Sequence, residues 1–535
     1  MVPWLVLGIC GLVAYFIYDA YRKNAYWREK GVPAPFLYPV VGRFLEQIYA
    51  GQGKFDYKWT QKLGRKFGLF DGPVPVIVIS DTEMLKNVMV KDFSHFVNRR
   101  EIEGINGPII DQAVSVLKDQ RWKDVRSVLV PTFTSGKMRM MNPLIQECSQ
   151  TLIQNMDKMA ENGQEFEAKE MFGRVTLDVI ASAFFATKID SQKDPNSDFV
   201  RHARKAFDFN FTNPLLIAAF LFPKLVPLLV KLGFQGFSRE VTDFFVRNTE
   251  EIVRMRNASQ DHSRKDFLQL MLNSLKGQSP VASKATKEAT ETTVRDDTDA
   301  DHADILSDVL SNGPVTPEHN YTSNYKLTTE ELVAQSVIFF LAGYETTATT
   351  LSFLTYCLTA NPEIQERLRE EIENVMGDRE VPTYDIIAKM EYLDCCINET
   401  LRIYPPLART ERMCNETWTH KGLTVEKGSV VAIPIYAIHH DPEYWPDPET
   451  YNPDRFSHEN KHNIKPYTFQ TFGQGPRNCV GMRFAYYEIK LVMVNILRKF
   501  RFVPCSKTEI PLQITDVGFL RAKNGVWVKL EKLSA

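Results

Sequence analysis

Phe472-Gly473-Gln474-Gly475-Pro476-Arg477-Asn478-Cys479-Val480-Gly481 decides how this chain is read. One cysteine stands in a loop opened by two glycines, with an arginine two residues before it and a glycine two after. The amphiphilic stretch 482–500 follows at once, which predicts Cys479 at or just before a helix N-terminus. The helix dipole and unpaired N–H groups there favour a thiolate. Gly473 and Gly475 allow a sharp turn that aims amides at the sulfur, and Gly481 leaves room for a flat group against the helix. A haem iron held by one thiolate fits this arrangement, because that ligand supplies the electron density for O–O cleavage. The plainer alternative is a buried structural cysteine in a glycine-rich turn.

Composition narrows the field. The 535 residues are 44% hydrophobic and 24% charged, the usage of an ordinary globular protein. A net charge of −2 gives no basic excess and so no case for nucleic acid. Eight scattered cysteines without a Cys-x-x-Cys pair argue against a disulfide framework or a zinc site, and suit a reducing compartment.

Residues 2–18 are an uncharged apolar run, followed by Asp19 and then Arg22, Lys23, Arg28 and Lys30. As a helix this run reaches roughly 25 Å, enough for a thin membrane. It predicts a retained transmembrane signal-anchor over 1–21, with the following positive charge placing the body in the cytosol. A basic, proline-rich hinge is expected over 22–40 and one large body over 41–535. Within that body, 274–325 is rich in Thr, Ser, Asp, Lys and Ala and nearly free of aromatics, which predicts a disordered insertion. The remainder reads as mainly α with small β-sheets. Helices are expected over 138–162, 166–185 and 362–376, the last with Asn361 as N-cap, and strands over 74–79 and 429–435. The apolar region 207–234 is broken by Pro214, Pro223 and Pro227 into pieces too short to span a membrane. Short helices at the bilayer surface or over an apolar pocket are expected there.

Ala342-Gly-Tyr-Glu345-Thr346-Thr347 lies inside a long helix that is apolar on nearly every face. Thr328 and Glu331 form a capping box at its start. Glu345 would cost about 3 kcal/mol in a bilayer, which favours a helix buried in protein. Gly343 is expected to leave a gap beside the helix, and Thr346 to bond back to the Ala342 carbonyl. An acid next to an alcohol beside a groove makes a sensible proton relay. Glu399-Thr-Leu-Arg402 and Asn452-Pro-Asp-Arg455-Phe456 complete the pattern; singly, neither says much.

Together these motifs resemble the cytochromes P450, the haem-thiolate monooxygenases, over most of the chain after the anchor. The resemblance implies the P450 fold as a single domain and haem b with Cys479 as axial ligand. It makes Glu345 and Thr346 the catalytic acid–alcohol pair. Phe472, Gly473, Arg477, Gly481, Ala342, Trp122, Arg126 and Arg412 become cofactor-binding residues. A structural triad of Glu399, Arg402 and Arg455 is implied to hold the haem loop. Ser115, Phe207, Leu341, Leu407 and Ala408 become pocket residues, within wider candidate regions 105–115 and 207–222. Trp122 to Lys137 (with Pro131-Thr-Phe-Thr-Ser-Gly136), Met390-Glu-Tyr-Leu-Asp394 and His439-His-Asp-Pro442 look most like one animal clan. That clan holds a microsomal drug- and steroid-oxidising subfamily, invertebrate relatives and thromboxane synthase. Leu341 and Ala206 depart from the drug-oxidising pattern, where phenylalanine and arginine are common.

The implied function is NADPH- and O2-dependent oxidation of apolar small molecules such as xenobiotics, steroids or fatty acids. The implied partners are NADPH–cytochrome P450 reductase, cytochrome b5 as a further electron donor, and the endoplasmic reticulum membrane. Lys123 and Lys490 are candidate reductase contacts. Two alternatives stay open: a haem-thiolate isomerase or dehydratase of lipid peroxides that needs no reductase, and a non-catalytic haem protein.

Overall fold

A helix spanning Thr329–Ala360 runs through the middle of the body, and Glu345 lies near its midpoint. Its start is fixed as the sequence implies: Glu331 N–H donates to Thr328 Oγ1 at 3.1 Å, and Thr328 N–H donates to Glu331 Oε2 at 2.9 Å. Its most apolar window meets the length and composition of a membrane span, yet 72% of that window is buried in protein. It is a core helix. The computed structural model describes residues 2–100, 106–207, 214–234, 236, 238–258, 266–275 and 325–533. The stretch read as an insertion therefore lies outside the described residues except at its edges.

Against the long helix pack helices Ala168–Phe185, Arg239–Ala258, Glu391–Ile403 and Met482–Leu497. A four-stranded sheet flanks this helical body in the order Lys66–Asp71, Val74–Ile79, Val430–Ile433, Thr410–Met413. Its central pair is parallel and its outer pairs antiparallel. Phe166–Glu167, Trp527–Lys532 and Phe500–Val503 form a second sheet, and Ile514–Val517 with Phe519–Ala522 form a late hairpin. The architecture is mainly α with small sheets, as expected. Helix Pro362–Met376 also forms where proline and glycine mark its ends. Asn361 occupies its N-cap position but makes no capping bond: it gives its side-chain amide to the Cys357 carbonyl at 2.8 Å, tying back to the preceding helix.

In the apolar region, helix Pro214–Leu221, a 3₁₀ turn at Pro223–Leu225 and helix Val226–Lys231 follow one another, with proline opening each piece. Leu225, Leu228 and Leu232 are exposed. Phe222 meets the first helix at Phe16, ring centroids 6.4 Å apart.

That first helix, Val2–Glu29, continues well beyond residue 21 into the segment read as a hinge. Packing explains the difference. Trp27 is only 2% exposed, and its indole N–H donates to the Leu69 carbonyl at 2.9 Å. Asn24 and Leu37 exchange hydrogen bonds of 3.0 and 2.9 Å, so the proline segment folds back on the helix end. The indole lies flat on Gly68, where an added Cβ would stand 2.2 Å from Trp27 Cδ2. Gly68→Ala should therefore displace Trp27 and cost about 1–3 kcal/mol. Urea unfolding with a change in tryptophan emission checks this.

Candidate active site

The cysteine loop closes through its own backbone. Cys479 N–H donates to the Phe472 carbonyl at 2.9 Å, and Gly473 N–H to the Gln470 carbonyl at 2.9 Å. Gly473 and Gly475 both have φ of 69°, a conformation that favours glycine. At Gly475 a side chain would also strike the Met89 carbonyl oxygen, 1.9 Å from a Cβ. Helix Met482–Leu497 begins after Gly481 as its N-cap. A Cβ at Gly481 would meet only Phe133, at 3.8 Å, so the space over this glycine is open.

Cys479 has an exposed surface but stands in a hollow enclosed by the surrounding protein. Burial there pushes its thiol pKa up, against the lowering effect of the Gly481 N–H, Arg126 and Arg99. Burial thus opposes the thiolate that the helix N-terminus favours. Coordination to a metal deprotonates a thiol outright.

Arginines gather beside the loop. Among the described residues Arg477 donates only to the carbonyls of Val97, Val114 and Leu117, at 2.8, 3.2 and 2.6 Å, and its guanidinium stacks 4.0 Å over the Trp122 ring. Arg412 donates to the Glu411 carbonyl at 2.9 Å and the Thr410 hydroxyl at 3.4 Å. Arg126 holds Asn478 through its carbonyl and its side-chain oxygen, at 2.9 and 2.5 Å. The fourth member, Arg99, bonds the Arg477 carbonyl at 3.3 Å. Among the described residues no carboxylate forms an ion pair with Arg99, Arg412 or Arg477, and the buried Nε atoms of Arg99 and Arg412 lack hydrogen-bond partners.

Burial first, then mutual repulsion, lowers the Arg412 pKa to about 9 and the Arg477 pKa to about 8. Like charges held together this way call for an anion, and a guanidinium fork suits a carboxylate. The two carboxylates of a haem fit that demand, and the open space over Gly481 fits its plane. Arg99 escaped the sequence reading because the loop Asn98-Arg99-Arg100 carries no distinguishing spacing.

Across the hollow, Phe133 meets Phe339 of the long helix at 5.8 Å between ring centroids, linking Gly481 to the turn before Ala342. Ala342 is exposed although Leu341, Tyr344 and Glu345 around it are buried, so this face of the helix opens onto space. Thr346 Oγ1 donates to the Ala342 carbonyl at 2.7 Å. Glu345 is not free beside it: Oε1 accepts from Lys169 at 2.6 Å and from Arg521 at 3.1 Å. Gly343 leaves no gap. A Cβ there would stand 2.5 Å from Ile180 Cδ1, so the missing side chain admits the neighbouring helix.

The residues expected to line a pocket fall in different settings. Phe207 is buried, its ring against Tyr344 at 6.1 Å and Phe519 at 5.4 Å. Ser115 is half-buried beside Val114, whose N–H donates to Gln335 of the long helix at 2.7 Å. Leu407 is 40% exposed, whereas Ala408 is buried against Phe353, Tyr436 and Leu520. Positions 105 and 208–213 of the wider pocket reading lie outside the described residues.

The sequence profile of the cytochrome P450 family matches residues 32–297 and 282–530. Cytochrome P450 3A2 of Rattus norvegicus is 40% identical over 529 residues, 98% of this chain and 96% of its own length. Cytochrome P450 3A41 of Mus musculus is 39% identical over 528 residues, covering 98% and 96%. Cytochrome P450 3A12 of Canis lupus familiaris is 39% identical over 531 residues, covering 99% and 96%. The chain belongs to the cytochrome P450 family. As a P450 it is a monooxygenase whose cofactor is a haem iron ligated by cysteine.

In this P450 the Glu399–Arg402 pair is completely buried, with both side chains at 0% exposure. Arg402 donates to Glu399 at 2.7 and 2.9 Å, and to the His439 and Pro448 carbonyls at 2.8 and 2.7 Å. Arg455 completes the triad on Glu399 Oε1 at 3.2 Å. His440 is buried nearby, stacked 3.9 Å from the Tyr436 ring, and burial lowers its pKa from 6.5 to about 4. A base with a depressed folded pKa stabilises fully above its unfolded pKa and loses that contribution as pH falls toward the folded one. Between pH 6.5 and 4 His440 should therefore cost about 1.4 kcal/mol per pH unit. Denaturant unfolding of His440→Gln across that window should show the shallower acid slope.

Lys490, one of the two lysines read as reductase contacts, is buried and donates to Asp394 at 2.7 Å and the Met390 carbonyl at 3.1 Å. It cannot meet a partner from there. Lys123 is exposed.

Proposed function

We propose that this P450 takes electrons from NADPH–cytochrome P450 reductase, with cytochrome b5 as a further donor, to oxidise apolar small molecules. Steroids, fatty acids and xenobiotics are the substrate classes. The protein sits at the endoplasmic reticulum membrane by its N-terminal helix. The observation that carries this reading is the adjacent Glu345 and Thr346, midway along a buried helix and beside an open face at Ala342. A peroxide isomerase needs no external protons; reduction of dioxygen by NADPH does.

When bound, the haem supplies dioxygen chemistry; the rest falls to the side chains. Cys479 would hold the iron, and Arg99, Arg126, Arg412 and Arg477 would offer donors to the haem carboxylates. Thr346, anchored on the Ala342 carbonyl, holds a hydroxyl proton at the open face. Glu345 keeps its carboxylate between Lys169 and Arg521, and must loosen from them to pass a proton toward Thr346. Leu341 and Phe207 present apolar surface that excludes water and suits an apolar substrate. Lys123 remains a candidate contact for the reductase.

Reconstitution with reductase and NADPH, alongside a lipid peroxide, tests the reading. Product should form with NADPH and reductase. In Thr346→Ala, product per NADPH consumed should fall about tenfold or more while reduction of the iron continues. Turnover of the peroxide alone, with none from NADPH, would instead establish the isomerase.

A further inference from the structure

The buried triad is not joined to the cysteine loop by its own side chains. Glu399, Arg402 and Arg455 bond to one another, to the Asn452 N–H and to the carbonyls of His439, Asp447 and Pro448. Among the described residues none of the three reaches residues 469–481. The bridge is an imidazole. His439 Nδ1 lies 3.0 Å from the Arg402 carbonyl, and the Gln470 N–H donates to His439 Nε2 at 2.8 Å. A carbonyl can only accept and an amide can only donate, so the pair fixes a neutral ring protonated at Nδ1.

The ring is wholly buried and lies parallel to Phe469, centroids 5.5 Å apart. Burial, His440 and Arg402 hold its pKa well below the usual histidine range, so the tautomer persists across physiological pH. From Gln470 the path is short: its carbonyl accepts from Gly473 N–H, and the adjoining Phe472 carbonyl accepts from Cys479 N–H, both at 2.9 Å. A second tie, from the Thr471 hydroxyl to the Leu401 carbonyl at 3.1 Å, runs beside it.

We propose that His439 is the positioning residue that transmits the buried Glu399–Arg402 pair to the cysteine loop, fixing Cys479 through Gln470. Metal sites use imidazoles and carbonyls that touch their ligands, not the metal, in this way to orient those ligands. The inference rests on the haem-thiolate reading and concerns how the ligand is held.

Two substitutions separate the strut from mere core packing. His439→Gln keeps one donor and one acceptor on a side chain of similar reach; His439→Leu keeps apolar volume and neither polar atom. The strut predicts that His439→Leu releases haem to apomyoglobin about 10-fold or more faster than the parent. In that variant the Gln470 and Cys479 amides should also lose protection from hydrogen exchange, and the ferrous carbon monoxide spectrum should shift from the thiolate band toward a non-thiolate one. His439→Gln should recover most of each property. Packing alone predicts the reverse order, with leucine the milder change, and that result overturns the proposal. If His439→Leu does not fold, the parent decides: the Gln470 amide should exchange among its slowest, and rapid exchange there refutes the strut. A parent without the thiolate band sinks the haem-thiolate reading; a parent with it, and variants indistinguishable from it, sinks only the role of His439.

Discussion

Cys479→Ser should remove the strongly red-shifted Soret band of the carbon monoxide-bound ferrous protein and lower turnover by at least about 1000-fold. The loop would survive the change. Its closure depends on the Cys479 N–H to Phe472 carbonyl bond, on Gly473 and Gly475 at positive φ and on the Arg477 bonds to three carbonyls, none of which involves the sulfur. What disappears is the donor: a serine hydroxyl is a far weaker acid than a thiol and supplies no comparable charge to the iron. The spectrum, haem content and urea midpoint should be measured together. A thiolate-type band persisting in the serine variant would refute the assignment of Cys479.

Glu399→Gln should destabilise the protein by about 3–5 kcal/mol, the largest stability effect expected from one side chain. The carboxylate neutralises Arg402, which is fully buried, and also accepts from Arg455 and the Asn452 N–H. An amide can still accept one or two of these bonds, but it leaves a guanidinium charge without compensation in the interior. Removing the charge as well should recover part of the loss, so Glu399→Gln with Arg402→Met should fall short of the sum of the single variants. Denaturant unfolding of the four proteins measures that coupling. Additive losses would mean that the pair contributes no specific interaction.

The sequence carried local and chemical information well and long-range contacts poorly. The cysteine loop, the Thr328 capping box and the Thr346 back-bond each involve residues within a few positions of one another, where residue type and spacing dictate geometry. The burial of the long helix followed from its apolar circumference. Partners distant in sequence were not legible. Nothing near Arg99 marks it for a cluster with Arg412 and Arg477, and nothing near Arg521 marks it for Glu345. Gly343 was read as a gap because a missing side chain looks like empty space until the neighbour that fills it, Ile180, is known. Lys490 was read as a surface cation, although a buried Asp394 pairing was equally compatible with its helix position. The first helix outran its expected end because Trp27 had a seat on Gly68 that no local pattern announces.

The late hairpin has a consequence for biosynthesis. Arg521 bonds both the Glu345 carboxylate and the Phe207 carbonyl, 2.7 Å away and separated from it by 314 positions in the chain. Translation therefore delivers Phe207 and the acid long before the guanidinium that fastens them together. Until then the nascent chain holds an acid with Lys169 as its only cationic partner among the described residues and a helix end without its anchor. Chains tend to fold from the N-terminus as they emerge, and exposed apolar intermediates are the ones that aggregate. Premature termination before Arg521 should thus yield a full complement of long helices with Glu345 and Phe207 left unfastened, a natural client for chaperones and proteases.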